Sequence, residues 1–218
     1  MNTIKHKKKA NVGGRPRTFD ENVALEQAMR VFWRKGYEGT SLTDLTNEMG
    51  INPPSLYRAF GDKERLFWKV IDRYGEGPAA YVAECLNEST AFAVVAKRLR
   101  CAVDVMSDPA HPWGCLATQA AVTCGDQGRV VRKRLIAIRA GTQAALCERF
   151  ERAQAEGDLP EESDPAALAS YVSTLVLGIS VQAASGMKRK ELLGIVENTL
   201  KVWPALTRGG KRASARRA

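Results

Sequence analysis

Histidine is nearly missing from this chain: His6 and His111 are the only two among 218 residues. No carboxylate pairs with either at metal-ligand spacing, so a zinc or other histidine-based metal site is not expected. With no P-loop, no dinucleotide-type glycine motif, no metalloprotease helix and no histidine set beside a nucleophile, an enzyme is not expected either. The Gly75-Glu76-Gly77 triplet lacks the flanking strand a nucleotide site needs. There are five cysteines, Cys85, Cys101, Cys115, Cys124 and Cys147, an odd number without a CxxC pair, which argues against a disulfide framework. Aromatics make up only 7%. No apolar run reaches the roughly 18 unbroken residues of a membrane span, and the Lys-rich N-terminus leads into no apolar signal core. The expectation is a cytoplasmic protein with no membrane partner and no cofactor.

What is present is charge in the right places. The formal net charge is +9. Residues 1–19 hold Lys5, Lys7, Lys8, Lys9, Arg15 and Arg17 without an acid, and residues 207–218 hold Arg208, Lys211, Arg212, Arg216 and Arg217 without one. The 22 basic residues left between these ends face 24 acids. A near-neutral body with two basic ends suits an anionic polymer, because each neutralised phosphate releases counterions. Gly14-Arg15-Pro16-Arg17 resembles the core of an AT-hook. It can lie in a narrow A·T minor groove, or Arg15 and Arg17 can simply attract phosphate.

Apolar residues recur at three and four throughout, so the fold class is all-α. Asp20 can cap a first helix carrying Leu25, Ala28, Met29 and Phe32, which Gly36 ends. Ser41 and Asp44 form a capping-box pattern before a short second helix with Leu42, Leu45 and Met49 inside. After Gly50-Ile51-Asn52 a third short helix begins with two prolines, which a first turn tolerates. Leu56 and Phe60 face its core, while Ser55, Arg58 and Ala59 point away and Tyr57 sits at the edge. Asp62 caps a fourth helix with Leu66, Phe67, Val70, Ile71 and Tyr74 inside. Gly75, Gly77 and Pro78 mark a boundary. The expected parts are a basic arm (1–19), an N-terminal three-helix helix-turn-helix domain (20–74), a larger helical domain (75–206) and a basic tail (207–218). Within the larger domain one helix runs through Phe92, Val95, Leu99, Ala102 and Met106. Others span about 114–124, about 127–156 with Val131, Leu135, Ile138, Thr142 and Phe150 inside, about 166–185, and 189–206.

Two short helices around a Gly turn form a helix-turn-helix, whose second helix enters the major groove by its N-terminal end. The run ALEQAMRVFWRKGYEGTSLTDLTNEMGINPPSLYRAFGDKERLF resembles the DNA-binding domain of the TetR family of bacterial regulators. The resemblance implies an operator-binding transcriptional regulator, a repressor released by a small-molecule inducer of unknown identity. Within it, Thr40, Ser41 and Thr43 would touch DNA; Asn52, Pro53, Pro54 and Ser55 would face bases; Tyr57 and Lys63 would hold phosphates. Arg58 can fork onto guanine or hold a phosphate. The competing expectation is a sequence-tolerant architectural DNA binder working through its basic ends.

The resemblance also implies a homodimer built from the last two helices. The stripes Leu168, Tyr171, Leu175, Gly178, Ile179 and Leu192, Val196, Leu200, Trp203 are expected either at that face, where small residues allow close approach, or in the chain's own core. HPWGCLATQAA, residues 111–121, resembles a GCL segment of one branch of the family. Cys115, at a helix start where a dipole favours thiolate, is either an oxidant or electrophile sensor or a small packed side chain. Met106, His111 and Trp113 are the other candidate ligand contacts.

Overall fold

The computed structural model describes residues 19–126 and 128–208. Arg15 and Arg17, and the tail beyond Arg208, lie outside them. Among the described residues there is no strand, and the helices are α1 (Glu21–Lys35), α2 (Leu42–Met49), α3 (Pro53–Phe60), α4 (Lys63–Glu76), α5 (Tyr81–Glu84), α6 (Ala91–Met106), α7 (Leu116–Thr123), α8 (Arg129–Ala155), α9 (Pro165–Ala184) and α10 (Arg189–Thr207). A 3-10 turn, Cys85–Asn87, continues α5.

The first four helices start where a side chain can satisfy their free N–H groups. Asp20 accepts from Asn22 N at 2.8 Å, and Asn52 from Ser55 N at 2.9 Å. Asp62 accepts from Arg65 N at 2.7 Å. Ser41 and Asp44 exchange bonds of 3.0 Å in both directions. Gly50 stops α2 in a left-handed conformation, φ 62° and ψ 29°, so the chain can turn within Gly50-Ile51-Asn52.

Two apolar cores organise the chain. One joins α1–α4 and takes in Leu116 and Ala120 of α7 with Val131 and Leu135 of α8. The other joins α5, α6, the second half of α8, α9 and α10. Packing therefore crosses the chain boundary after α4: α7 and the start of α8 belong to the helix-turn-helix core. Five expected core positions differ. Leu25, Leu42 and Thr142 are only partly buried. Phe92 is 46% exposed at the first turn of α6, and Ile138 is 43% exposed on α8.

The dimer stripes also resolve differently. Leu168, Ile179, Leu192, Val196, Leu200 and Trp203 are all buried within the single chain. They are the seam by which α9 and α10 pack on α6 and α8, so they are unavailable to a second copy. Tyr171 and Leu175 are half-buried and pack against the same core. The opposite side of α9 is open: Ser170, Thr174, Gly178 and Val181 are exposed. By length and composition α9 is apolar enough to cross a membrane, at mean hydropathy 1.5, with 33% of that window buried. Its serines, tyrosine, threonine and glutamine interrupt any continuous apolar run.

Candidate nucleic-acid interface and cavity

Helix α3 is attached by Leu56, 1% exposed, and Phe60, 2% exposed. That anchoring leaves Asn52, Pro53, Pro54, Tyr57 and Arg58 outside, all exposed, on the entry end and flank of the helix. Ser41 and Thr43 on α2 are exposed beside them, and Ser55 is half-buried. One face thus gathers hydroxyls, an amide, a phenol and a guanidinium without an intervening acid from α3. These groups suit phosphate oxygens and base edges.

Three expected positions behave differently. Thr40 is fully buried, and its hydroxyl donates to the Gly36 carbonyl at 2.6 Å, so it shapes the α1–α2 corner instead of offering a side chain to a ligand. Ala59 is half-buried and packs on the helix-turn-helix core. Lys63 is engaged: its ammonium lies 4.6 Å from the centroid of the Tyr37 ring, and burial pulls its pKa down. Next to it, Gly128 N, at the start of α8, donates to the Glu38 carboxylate. A carboxylate at a helix N-terminus is favoured by the helix dipole. The α1–α2 corner is thereby tied to the second half of the molecule.

Behind this face lies a cavity of about 280 Å³. Ile71 and Tyr74 of α4 form one wall, and side chains of α5, α6, α7, α8 and α9 close the rest. Met106 and Cys115 line it. The Tyr74 hydroxyl donates to Cys115 Sγ at 3.4 Å, and burial raises the Tyr74 pKa well above its ordinary value. His111 and Trp113 are not among the lining residues. His111 stacks on Trp33 at 5.4 Å, and Trp113 lies under the Lys188 ammonium at 5.6 Å. Both are packing residues of the loop before α7.

That loop explains the Gly-Cys pair. Gly114 has φ 89°, and a Cβ there would stand 3.0 Å from the Ser180 carbonyl of α9. The close approach lets Cys115 N donate to Ser180 Oγ at 2.9 Å, aligning the start of α7. The Gly114 carbonyl accepts from Trp33 Nε1 at 3.2 Å, and Trp33 meets Tyr74 edge-on at 5.0 Å. Cavity wall, α1 and α4 are thus one packed unit.

Sequence reasoning missed Tyr74, Tyr81, Thr118 and Arg98 as cavity residues. Only Arg98 left a signal: it sits in register with buried Val94, Val95 and Ala102 on a helix stripe where a charge is out of place.

Comparison with known proteins agrees with this architecture. Residues 24–70 match the family model described as bacterial regulatory proteins, tetR family, and residues 94–193 match a tetracyclin repressor-like C-terminal domain. The chain is similar to the transcriptional repressor ComR of Escherichia coli, 33% identical over 201 residues, which is 89% of this chain and 94% of that one. The repressor BdcR of the same organism is 28% identical over 195 residues, covering 85% and 90%. Among solved structures, a cysteine mutant of the regulator CifR complexed with 26-bp operator DNA is 41% identical. It covers 87% of this chain and 100% of that chain, with a TM-score of 0.83.

Proposed function

Because this chain belongs to the TetR family of bacterial regulatory proteins, a family of regulators and not of enzymes, we propose that it represses transcription by binding a palindromic operator as a homodimer, and that a small molecule entering the cavity releases it. The observation that carries this reading is α3. It is capped by Asn52, held from behind by Leu56 and Phe60, and presents Pro53, Pro54, Tyr57 and Arg58 outward. In this reading its N-terminal end reads bases in the major groove, Tyr57 holds a phosphate, and Lys63 swings from Tyr37 to hold another. The similarity to a regulator solved in complex with 26-bp operator DNA supports DNA binding by this chain.

Two recognition helices on one duplex face require two copies, about 34–36 Å apart or a multiple of that. The open side of α9 supplies the surface. Ser170, Thr174, Gly178 and Val181 are small or uncharged and recur at three and four. Gly194, Asn198 and Val202 of α10 are exposed with comparable spacing. Small side chains allow two such helices close approach across a two-fold axis. This face, in place of the buried stripes, is the proposed dimer contact.

Release follows from where α4 lies. Its C-terminal half walls the cavity through Ile71 and Tyr74, and its N-terminus follows the recognition helix after Gly61 and Asp62. A molecule that displaces Tyr74 pushes on Trp33 and on α4 together. The protomer geometry then favoured no longer spans two major grooves, and the population shifts off the operator.

The architectural reading makes a different demand. Deleting residues 1–18 and 209–218 is expected to weaken binding and flatten its salt dependence while leaving the preferred sequence unchanged. Footprinting of the full and shortened chains on one selected duplex tests this. Loss of all sequence preference in the shortened chain would give the architectural reading the field.

A further inference from the structure

The cavity contains a guanidinium that lies over the Tyr81 ring at 6.0 Å but that no carboxylate among the described residues neutralises. Arg98 of α6 lines it and is 5% exposed. Its Nη1 donates to the Val82 carbonyl at 2.9 Å, and its Nε has no hydrogen-bond partner. Its neighbours on the same helix are paired: Lys97 reaches Glu88 at 2.8 Å, and Arg100 reaches Glu197 at 2.9 Å. Among the described residues no carboxylate stands within ion-pairing distance of Arg98. A buried guanidinium without a counterion is costly and is expected to recruit one.

The other buried arginine sharpens the contrast. Arg149 of α8 is 4% exposed and also keeps one nitrogen, Nη1, without a partner, but it donates twice, to the Leu86 and Glu88 carbonyls at 3.2 and 2.8 Å. It clamps the turn after α5 and does not line the cavity. Arg98 makes a single backbone contact and keeps Nε unspent. Among the described residues no aspartate or glutamate lines the cavity, and Arg139, exposed on α8, adds a second positive group to the wall. Tyr74 and Tyr81 bring hydroxyls that burial holds in the protonated form. The remaining wall is mainly apolar, with Ile71, Ala79, Leu135, Val176 and Leu177.

We propose that the effector is an organic anion, specifically an apolar monocarboxylic acid whose carboxylate pairs with Arg98 and whose hydrocarbon body fills the apolar wall. This rests on reading the cavity as the effector site. A carboxylate matches the planar fork of one guanidinium. A phosphate dianion would call for a second buried cation, and Arg139, the other positive group on the wall, is exposed. The volume, about 280 Å³, suits a small or medium acid.

Calorimetric titration of the full chain with octanoate, decanoate and 4-phenylbutyrate, each against its primary amide, tests the assignment. Operator binding is followed in parallel by fluorescence anisotropy. The acids are expected to bind at least about tenfold tighter than the amides. Arg98→Met is expected to erase that preference, and Arg98→Lys to retain part of it. If Arg98→Met fails to fold, the acid–amide comparison in the native chain still decides. Equal binding of acids and amides, tighter amides, no binding by any acid, or equal competition by inorganic phosphate would overturn the carboxylate assignment. Acid binding that leaves operator affinity unchanged would keep the anion site and remove the effector reading. Release from the operator by amides alone would keep the effector reading and remove the anion site.

Discussion

Truncating Leu56 to alanine is the sharpest perturbation of the recognition helix. Leu56 is 1% exposed, and with Phe60 it supplies the buried side of α3. The substitution removes three carbons without touching any outward group. Transfer alone costs about 2.4 kcal/mol, at ~0.8 per buried carbon. The cavity left behind raises this toward ~5 kcal/mol where the surroundings cannot collapse. The helix has one other fully buried anchor, so the loss falls on the docking of α3 and not on the separate core of α6 and α8–α10. Only the docked fraction binds, so operator Kd rises roughly tenfold once the loss leaves docking unfavourable by about 1.4 kcal/mol. Fluorescence anisotropy on a selected operator measures the affinity. Hydrogen exchange measures protection in α2–α3 and in α9–α10 separately. The expected result is weaker operator binding with faster exchange confined to the first region. Exchange in α2–α3 unchanged from the native chain, or exchange that rises equally in both regions, would refute the two-anchor account.

Three further outcomes are expected. The Lys35 ammonium, followed by the Ser41 backbone and hydroxyl, holds the Asp44 carboxyl well below the usual carboxylate range. Its stabilisation is therefore complete above about pH 4 and is lost as pH falls toward the lowered folded-state value, so the denaturation midpoints of the native chain and Asp44→Asn should converge in acid; a constant gap from pH 7 to pH 3 would contradict this. Val181, 51% exposed on α9, lies on the proposed dimer face, so Val181→Glu is expected to shift sedimentation toward monomer and abolish operator binding at low protein concentration, whereas an unchanged dimer places the interface elsewhere. Iodoacetamide should alkylate Cys115, its thiolate displacing iodide, and the added amide should crowd Tyr74 and weaken operator binding in the native chain but not in Cys115→Ser; equal loss in both, or peroxide release unchanged in Cys115→Ser, would remove the thiol from effector sensing.

Local chemistry made the first half of the chain readable. Asp20, Ser41, Asn52 and Asp62 each cap a helix through a bond two or three residues away, and such bonds are visible in sequence spacing. The outward set on α3 followed from the positions of Leu56 and Phe60. The dimer stripes misled for a general reason. In α9 and α10 the strongest apolar periodicity marks the chain's own core, where Leu192 and Val196 have no exposed surface. The face left over is made of small and hydroxyl side chains, which carry little hydrophobic signal. The cavity was harder still, since α4 and α9, far apart in the sequence, both line it. Met106 and Cys115 were found by their neighbourhood; Arg98 was passed over because its charge suggests a surface until packing shows it buried.

The central claim is that this chain reads a two-fold symmetric DNA site. Selecting bound DNA from a random duplex pool, with the purified full chain at moderate salt, tests it most directly. A palindromic consensus with half-sites about one helical turn or more apart is the expected result. A pool enriched only for A·T-rich DNA without symmetry would contradict it and move the binding to the Arg15–Arg17 arm.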